Sequence, residues 1–548
     1  MVGNTMREPS SATIDTPVLI VGGGPVGLAV AMELRHHGVR STVLEPRTTV
    51  SQLRPRAKTT SARTMELFRR WSFAAEVRKR APIPVSWSSD IVFCTSATGR
   101  EIARFSDVLG LDLAGDERAA EPGQQVGQPV VEQALRDAIA ESPAITARFG
   151  YRATTVEEND DGVRVQAQDD KGTFLTIRAQ YVVGADGPRS LVRAAMGAVY
   201  EGTDSGRPNL SVVFRSAQLG SLLRGRALHR WVLNPASPGV VGPMDLKDLW
   251  WAIATGRPDD DADTDPAQIV RALVGRPIDV EVLGTDPWQA RALLARRYRR
   301  GRLFLAGDAA HQNPPWGGHG FNTGVGDAVN IGWKLAAVLN GWAPSTLLDS
   351  YEAERRPIAQ QTIDIAANNT KALPNELSNP ALLGSDEEFE AARPAAADAI
   401  IRAKRSEFYC LGLVLGYGYG PQAAAQSTDG SDYRPIAAPG NRLPHRWLPS
   451  GESLFDRLGP EFSLIGNATL TAPLAVAAAA AGIPLTLLNT EAIDPMAHYG
   501  AELVLVRPDQ HIAWLGHAAT APGAGSVLGQ AIAGFGAEGP TGASTMDR

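Results

Sequence analysis

Cysteine is nearly absent: Cys94 and Cys410 are the only two in 548 residues. That excludes a disulfide framework, a thiolate metal site and a Cys-x-x-Cys exchange pair, and it fits a reducing compartment, the cytoplasm. No set of His, Cys, Asp and Glu shows zinc or iron spacing, and there is neither a Gly-x-Ser-x-Gly nucleophile turn nor a Walker loop. Basic residues form no stripe. The net charge is −6 with both signs interspersed, which argues against nucleic acid and membrane surfaces as partners. Long apolar runs are missing too: Leu474–Leu488 is broken by Gly482 and Pro484 and reads as helix, turn and strand. Residues 1–16 lack the basic start and apolar stretch of a secretory leader and read as a flexible lead-in.

Glycine, by contrast, is concentrated where it can serve one extended ligand. Val18-Leu19-Ile20-Val21 is an apolar, β-branched run suited to a buried parallel strand, and Val26 to His37 keeps an apolar helical face. Gly22-Gly23-Gly24-Pro25-Val26-Gly27 therefore lies at a strand-to-helix turn. There Gly22 permits the turn, Gly24 admits a pyrophosphate to the backbone, and Gly27 allows close packing of helix on strand. A second strand, Ser41 to Leu44, ends at Glu45, near the distance expected for an acid that accepts a ribose hydroxyl. A carboxylate there suits an unphosphorylated ribose, as in FAD or NAD. Two more segments follow strands: Gly184-Ala185-Asp186-Gly187 after Tyr181-Val182-Val183, and Gly307-Asp308-Ala309-Ala310-His311 after Leu303-Phe304-Leu305. Asp308 reads as the cap of the helix that begins after the next glycines, and Gly317 to Gly324 offers bare backbone for a flavin edge. His311 reads as a packed structural residue.

Taken with Arg56-Ala57, Gln128-Pro129, Pro314-Pro315 and Gly317-Gly318-His319-Gly320-Phe321-Asn322, this order resembles the single-component FAD-dependent aromatic hydroxylases typified by para-hydroxybenzoate hydroxylase. Within them it is most similar to the branch of phenol hydroxylases, rifampicin monooxygenase and polyketide hydroxylases. The resemblance implies an α/β architecture: a Rossmann-like FAD-binding domain, an interleaved antiparallel-sheet substrate domain and a C-terminal thioredoxin-like domain. It implies that the glycine turn and Glu45, with Arg47 beside it, hold the adenosine half of FAD, and that Arg56 and Gln128 lie along the flavin and its pyrophosphate. Asp186 would serve both FAD and NAD(P)H, and Gly307 and Asp308 the ribityl chain. Pro315, Gly318, His319, Gly320, Phe321 and Asn322 would face the isoalloxazine. NADH or NADPH would reduce the flavin transiently, and O2 would give a C4a-hydroperoxyflavin that hydroxylates a phenolic or polycyclic aromatic substrate, with no side chain as nucleophile or base. A Baeyer–Villiger or epoxidising oxygenase and a non-catalytic, flavin-containing drug-binding protein are the alternatives. Halogenation is disfavoured, because no Trp-x-Trp-x-Ile-Pro segment occurs.

Two places, the 319–321 stretch and position 58, depart from the family's usual pattern. His319 and Phe321 stand where glutamine and methionine or leucine are common, and Lys58 replaces a small or apolar residue. His319 is either a satisfied surface histidine or a group that tunes the flavin or a phenol proton.

With 548 residues, 44% of them hydrophobic, two or three domains are expected. The flavin domain is assigned to 17–75, 125–200 and 290–372, and the substrate domain to 76–124 and 201–289. A connecting helical segment spans 373–432, the thioredoxin-like domain 433–535, and a flexible tail 536–548. Short strands around 210–214, 229–233 and 249–253, separated by Pro and Gly, read as an antiparallel sheet over the flavin. Phe214, Trp231, Trp251, Pro314 and Trp316 are the candidate substrate walls; strand alternation sends Trp250 and Trp251 to opposite faces. The expected assembly is a monomer or homodimer.

Overall fold

The computed structural model describes residues 12–53, 56–204, 208–256, 264–371, 379–424, 428–489, 493–517 and 523–535. Its central sheet is parallel over five strands, in the order Leu303–Leu305, Phe174–Gly184, Ala12–Val21, Ser41–Glu45, Ile145–Phe149. Val18, Leu19, Ile20, Val43, Val182, Val183, Phe304 and Leu305 are fully buried, as strands covered on both faces require. The helices Pro25–His36 and His319–Leu339 pack together on this sheet. The three glycine segments follow directly on the carboxyl ends of three adjacent strands, where open α/β sheets bind their ligands.

The first strand begins earlier than the sequence suggests. Residues 12–16, expected in the loose lead-in, pair in register with Leu175–Ala179 and so belong to the sheet. The rest of that lead-in, 1–11, and the expected tail, 536–548, lie outside the described residues.

A second sheet of seven strands runs Glu281–Gln289, Pro208–Arg215, Leu249–Ala254, Gly239–Pro243, His229–Val232, Ile91–Cys94, Glu101–Phe105. It is antiparallel except where His229–Val232 meets Ile91–Cys94. One face packs on the helix Pro266–Val274 through Phe214, Trp250, Leu273 and Val274. The other carries Trp231, Trp251 and Ile253 and meets the helix Asp386–Phe408.

The C-terminal unit has four strands in the order Leu485–Leu488, Phe462–Gly466, Leu503–Val506, Ile512–Gly516. Its first pair is parallel across the helix Ala468–Ala481, and the last two strands form a hairpin before the helix Ala524–Ala533. This is the thioredoxin-like arrangement, here without the redox cysteines. Phe462 packs edge-on against Trp333 and Trp342 of the flavin domain, so the unit is docked through a shared core.

Candidate functional site

The glycine turn is built by close approach. Gly22 has φ +106°, and a Cβ there would collide with the Ala185 carbonyl; one on Gly27 would collide with the Gly22 carbonyl. Gly24 differs: a Cβ would meet nothing nearer than an Arg47 guanidinium nitrogen at 4.0 Å. The space over Gly24 is therefore left for something other than protein. Val26 sits in a notch between Gly307 and Gly324, where added Cβ atoms would stand 3.0 and 2.6 Å from its methyls. Contacts through absent side chains thus bring the three separated segments together.

Glu45 is buried, with Oε2 accepting from Gly23 N at 2.8 Å and Oε1 from Arg47 N and Nε at 2.9 and 2.7 Å. Arg47 also pairs with Glu132 at 3.0 Å. Asp186 accepts from Leu191 N at 2.7 Å, at the start of the short helix that Ser190 caps, while its Oδ1 is buried without a partner. Burial raises its pKa, since one oxygen has lost water and gained nothing.

Asp308 is not the helix cap expected of it. It lies in a single 3-10 turn, Gly307–Ala309, and the helix His319–Leu339 starts well beyond it, capped by Gly318 in the left-handed region. The intervening chain pairs as a strand at His311–Gln312 and then turns at Pro314-Pro315, so no cap geometry can form. Instead the Asp308 carboxylate is open to a large cavity, and no described side chain or backbone N–H bonds to it. Burial raises its pKa against the opposing pull of His311 and Arg56.

Asp327, unassigned from sequence, holds this turn. It accepts from Gly307 N at 3.1 Å, from His311 Nε2 at 2.8 Å and from Arg355 Nε at 2.9 Å, all buried. His311 is thereby the packed structural residue expected. Asn322 is equally committed to protein. Its Oδ1 accepts from Ser61 N and Thr64 Oγ1 at 2.9 and 2.8 Å, and its Nδ2 donates to Thr59 and Gly318 carbonyls at 3.1 and 2.8 Å.

The cavity has a volume of about 680 Å³ and runs from Asp308, Arg56, Pro315, Gly318 and Gly320 to the inner face of the seven-stranded sheet. Trp231, Trp251, Trp288, Trp316, Ile253 and Phe408 form its apolar walls, and Lys58, His229 and Glu407 its polar ones. Of the expected substrate walls, Trp231, Trp251 and Trp316 line it, whereas Phe214 and Pro314 do not. Phe214 pairs opposite Trp250 in the sheet, so both point into the core on the far side. Pro314 is buried, and its neighbour Pro315 faces the lumen.

Two residues expected at the flavin do not line this cavity. Phe321 is packed in the main core, and His319 is buried rather than at the surface. Its Nε2 has no partner, and burial lowers its pKa to about 4, so the ring is neutral. Gln128 opens the helix Gln128–Ala140 and donates its N–H to Ala57 O at 2.8 Å, away from the cavity wall.

Sequence reasoning missed the wall supplied by the helix Asp386–Phe408. Glu407 and Phe408 line the cavity; Lys404 lies 5.2 Å from the Trp231 ring centre and pairs with Glu407 at 2.7 Å. Burial raises the Glu407 pKa against the pull of Lys404. An alanine-rich, low-contrast segment gives no sign of which turn will face a pocket built elsewhere.

A strand-end row of glycine turns opening into an aromatic-walled cavity is an arrangement suited to a flavin and a flat substrate. The chain matches the FAD binding domain family over residues 15–366 and the C-terminal domain of aromatic-ring hydroxylases over 437–534. It belongs to the FAD-dependent aromatic-ring hydroxylases and is a flavoprotein monooxygenase. Over 93% of its length it is 31% identical to the FAD-dependent monooxygenase apdD of Emericella nidulans, 88% of which is covered. It is 33% identical, over 91% of this chain and 93% of the other, to a putative polyketide hydroxylase of Streptomyces halstedii. Among solved structures, the rebeccamycin biosynthetic enzyme RebC with reduced flavin superposes with a TM-score of 0.87 at 32% identity, covering 95% of this chain and all of that one. Relatives named as monooxygenases and hydroxylases along the whole chain displace the binding-protein alternative. Among the described residues no helix is long and apolar enough to cross a membrane, and no cluster could hold a metal ion.

Proposed function

We propose that this enzyme uses NADH or NADPH and O2 to hydroxylate a phenolic or polycyclic aromatic small molecule. One observation carries the reading: a single cavity joins the Asp308 turn and the Gly318–Gly320 backbone to a wall of tryptophans. The residues fit FAD. Gly24 leaves room for a pyrophosphate at a helix N-terminus, Asp308 presents an unbonded carboxylate for ribityl hydroxyls, and a Cβ on Gly320 would meet nothing within 4 Å. When bound, the flavin supplies reductive activation of dioxygen and delivery of one oxygen atom to the ring.

The protein's own part is placement and dryness. Trp231 and Trp251, on strands either side of Gly239–Pro243, give the lumen indole surfaces for a flat ring, while Ile253, Leu109 and Phe408 keep water out. At the Trp231 end Glu407, held by Lys404, offers a carboxyl to a substrate hydroxyl. Arg56 stands near enough to Asp308 to oppose the upward push of burial on its carboxyl and to orient the cofactor's polar chain. The names of relatives, among them a phenol 2-monooxygenase and aklavinone 12-hydroxylase, support an aromatic substrate.

Purified protein should be yellow, and a panel of phenols should include some that stimulate NAD(P)H consumption with a ring-hydroxylated product identified by NMR. A colourless protein that takes up no added FAD would overturn the reading. A lactone or epoxide product would move it to the Baeyer–Villiger or epoxidising class.

A further inference from the structure

Two lysines are fully buried and behave alike, while a third, Lys58, is half-buried on the cavity wall. Lys334 pairs with Glu354 at 2.8 Å and Lys404 with Glu407 at 2.7 Å, as buried ammonium groups must to offset lost hydration. Lys58 has no such partner. Among the described residues no carboxylate lies within ion-pair reach of its Nζ, whose one hydrogen bond is a long 3.4 Å to the Arg56 carbonyl. Its ammonium stands 4.3 Å from the centre of the Trp251 ring, on the cavity wall. Burial alone acts on it and lowers its pKa to about 8, which leaves it charged at neutral pH.

The same spot holds a second group in want of a partner. His229 also lines the cavity and meets the Trp251 ring edge-on at 5.2 Å, with Nε2 buried and unbonded. Burial and the nearby Lys58 charge bring its pKa to about 3, so it is a neutral imidazole with one N–H to donate. An ammonium without a carboxylate partner and a neutral imidazole share one indole, and both residues line one lumen. A negatively charged oxygen entering there would gain a charge-assisted bond where water is scarce.

We infer that Lys58 and His229, with Trp251 between them, form an oxyanion subsite that selects aromatic substrates bearing an ionised oxygen, a carboxylate or a phenolate. The inference rests on the cavity's being the substrate site, as proposed above. It narrows the substrate class from aromatic to acidic aromatic, and it makes Lys58 a specificity-determining residue.

The test is ligand binding to the FAD-loaded full chain, read from quenching of the cavity tryptophans. 2-Naphthoate against 2-naphthamide probes the carboxylate, and 4-nitrophenol, whose own visible band reports ionisation, probes the phenolate. Wild type should favour naphthoate over naphthamide by about 10- to 100-fold, or bind nitrophenol as its anion with a lowered pKa, according to which oxyanion the site takes. Lys58→Gln should erase that preference while leaving naphthamide affinity unchanged, and Lys58→Arg should restore part of it. Equal preference in wild type and Lys58→Gln, or none in wild type for either probe, overturns the inference. So does a Lys58→Gln protein that loses FAD yet still discriminates charge, since the lysine would then serve the cofactor. Apart from that last case these outcomes presuppose a flavin-loaded protein, so failure of the wild type to take up FAD strikes the hydroxylase reading and is told apart.

Discussion

Asp308 and Asp327 touch the two ends of one short turn and do opposite work. Asp327 is saturated by Gly307, His311 and Arg355, whereas Asp308 faces the lumen unbonded. Asp308→Ala should leave the apoprotein's urea unfolding midpoint in place and weaken FAD binding by about 10- to 100-fold, the worth of hydrogen bonds to a charged group. Asp327→Ala should instead lower stability by about 3–5 kcal/mol, because Arg355 keeps a buried charge with no counter-ion. Denaturation curves and flavin titration on the two variants would check the contrast. Lys58 makes a third case. Its folded pKa is depressed, so its cost to the fold is absent well above pH 10 and complete once the pH has fallen below about 8. Lys58→Met should accordingly raise stability at pH 7 by about 1–3 kcal/mol, with the gain shrinking at pH 9 to 10.

At the level of elements, the strand–turn–helix at the start of the chain separates fold from cofactor within four residues. Gly27→Val should disrupt the turn, since its side chain would enter the Gly22 carbonyl. Gly24→Val should fold with an unchanged apoprotein melting temperature and take up little FAD, as read from the flavin absorbance of the purified protein. The helix Asp386–Phe408 invites the complementary test. Lys404→Ala strands Glu407 at the cavity wall and should speed hydrogen exchange along that helix, and it should divert NAD(P)H oxidation toward hydrogen peroxide by admitting water.

These elements also show how far sequence alone reaches. The strand at Val18–Val21, the acid at Glu45 and the hairpin at 503–516 are legible because period and punctuation are local signals. Alternation likewise separates Trp250, in the core, from Trp251, in the cavity. Phe214 is misread because its face depends on register with a neighbouring strand, and register is not local. Asp308 is misread as a cap because the strand pair at His311–Gln312 is invisible without its partner Leu293–Leu294. Glu407 and Lys404 were out of reach for the same reason: their importance comes from what a distant segment places in front of them.

The whole molecule is tied together by buried charge. Arg507 donates to Glu354 at 2.9 and 2.8 Å and pairs with Asp509 at 2.7 Å, while Glu354 also takes Lys334. Arg63 reaches Gln510 and the Asp509 carbonyl at 2.6 and 2.7 Å, and Arg442 pairs with Glu66. Burial pushes these carboxylates up, but the neighbouring cations outweigh it and bring Glu354 to about 2, with Glu66, Asp327 and Asp509 also lowered. A depressed folded pKa gives stability that is whole above about pH 4.5 and drains as the pH falls toward 2. Unfolding midpoints should therefore begin to fall below about pH 6.5, where only the unfolded chain protonates histidines held neutral such as His229 and His319, and drop more steeply below about 4.5. A midpoint that held constant down to pH 3 would contradict this account.

Arg355 clamps Asp327 and is itself bonded by Tyr419 at 3.2 Å, whose ring lies 5.1 Å from the Arg507 guanidinium. Part of the backing for the Asp327 clamp on the Gly307 turn thus comes from the last quarter of the chain. A chain cut before Tyr419 would lack the phenol and the guanidinium that back Arg355, so its grip on the cofactor should be looser than that of the whole protein, which flavin titration would check.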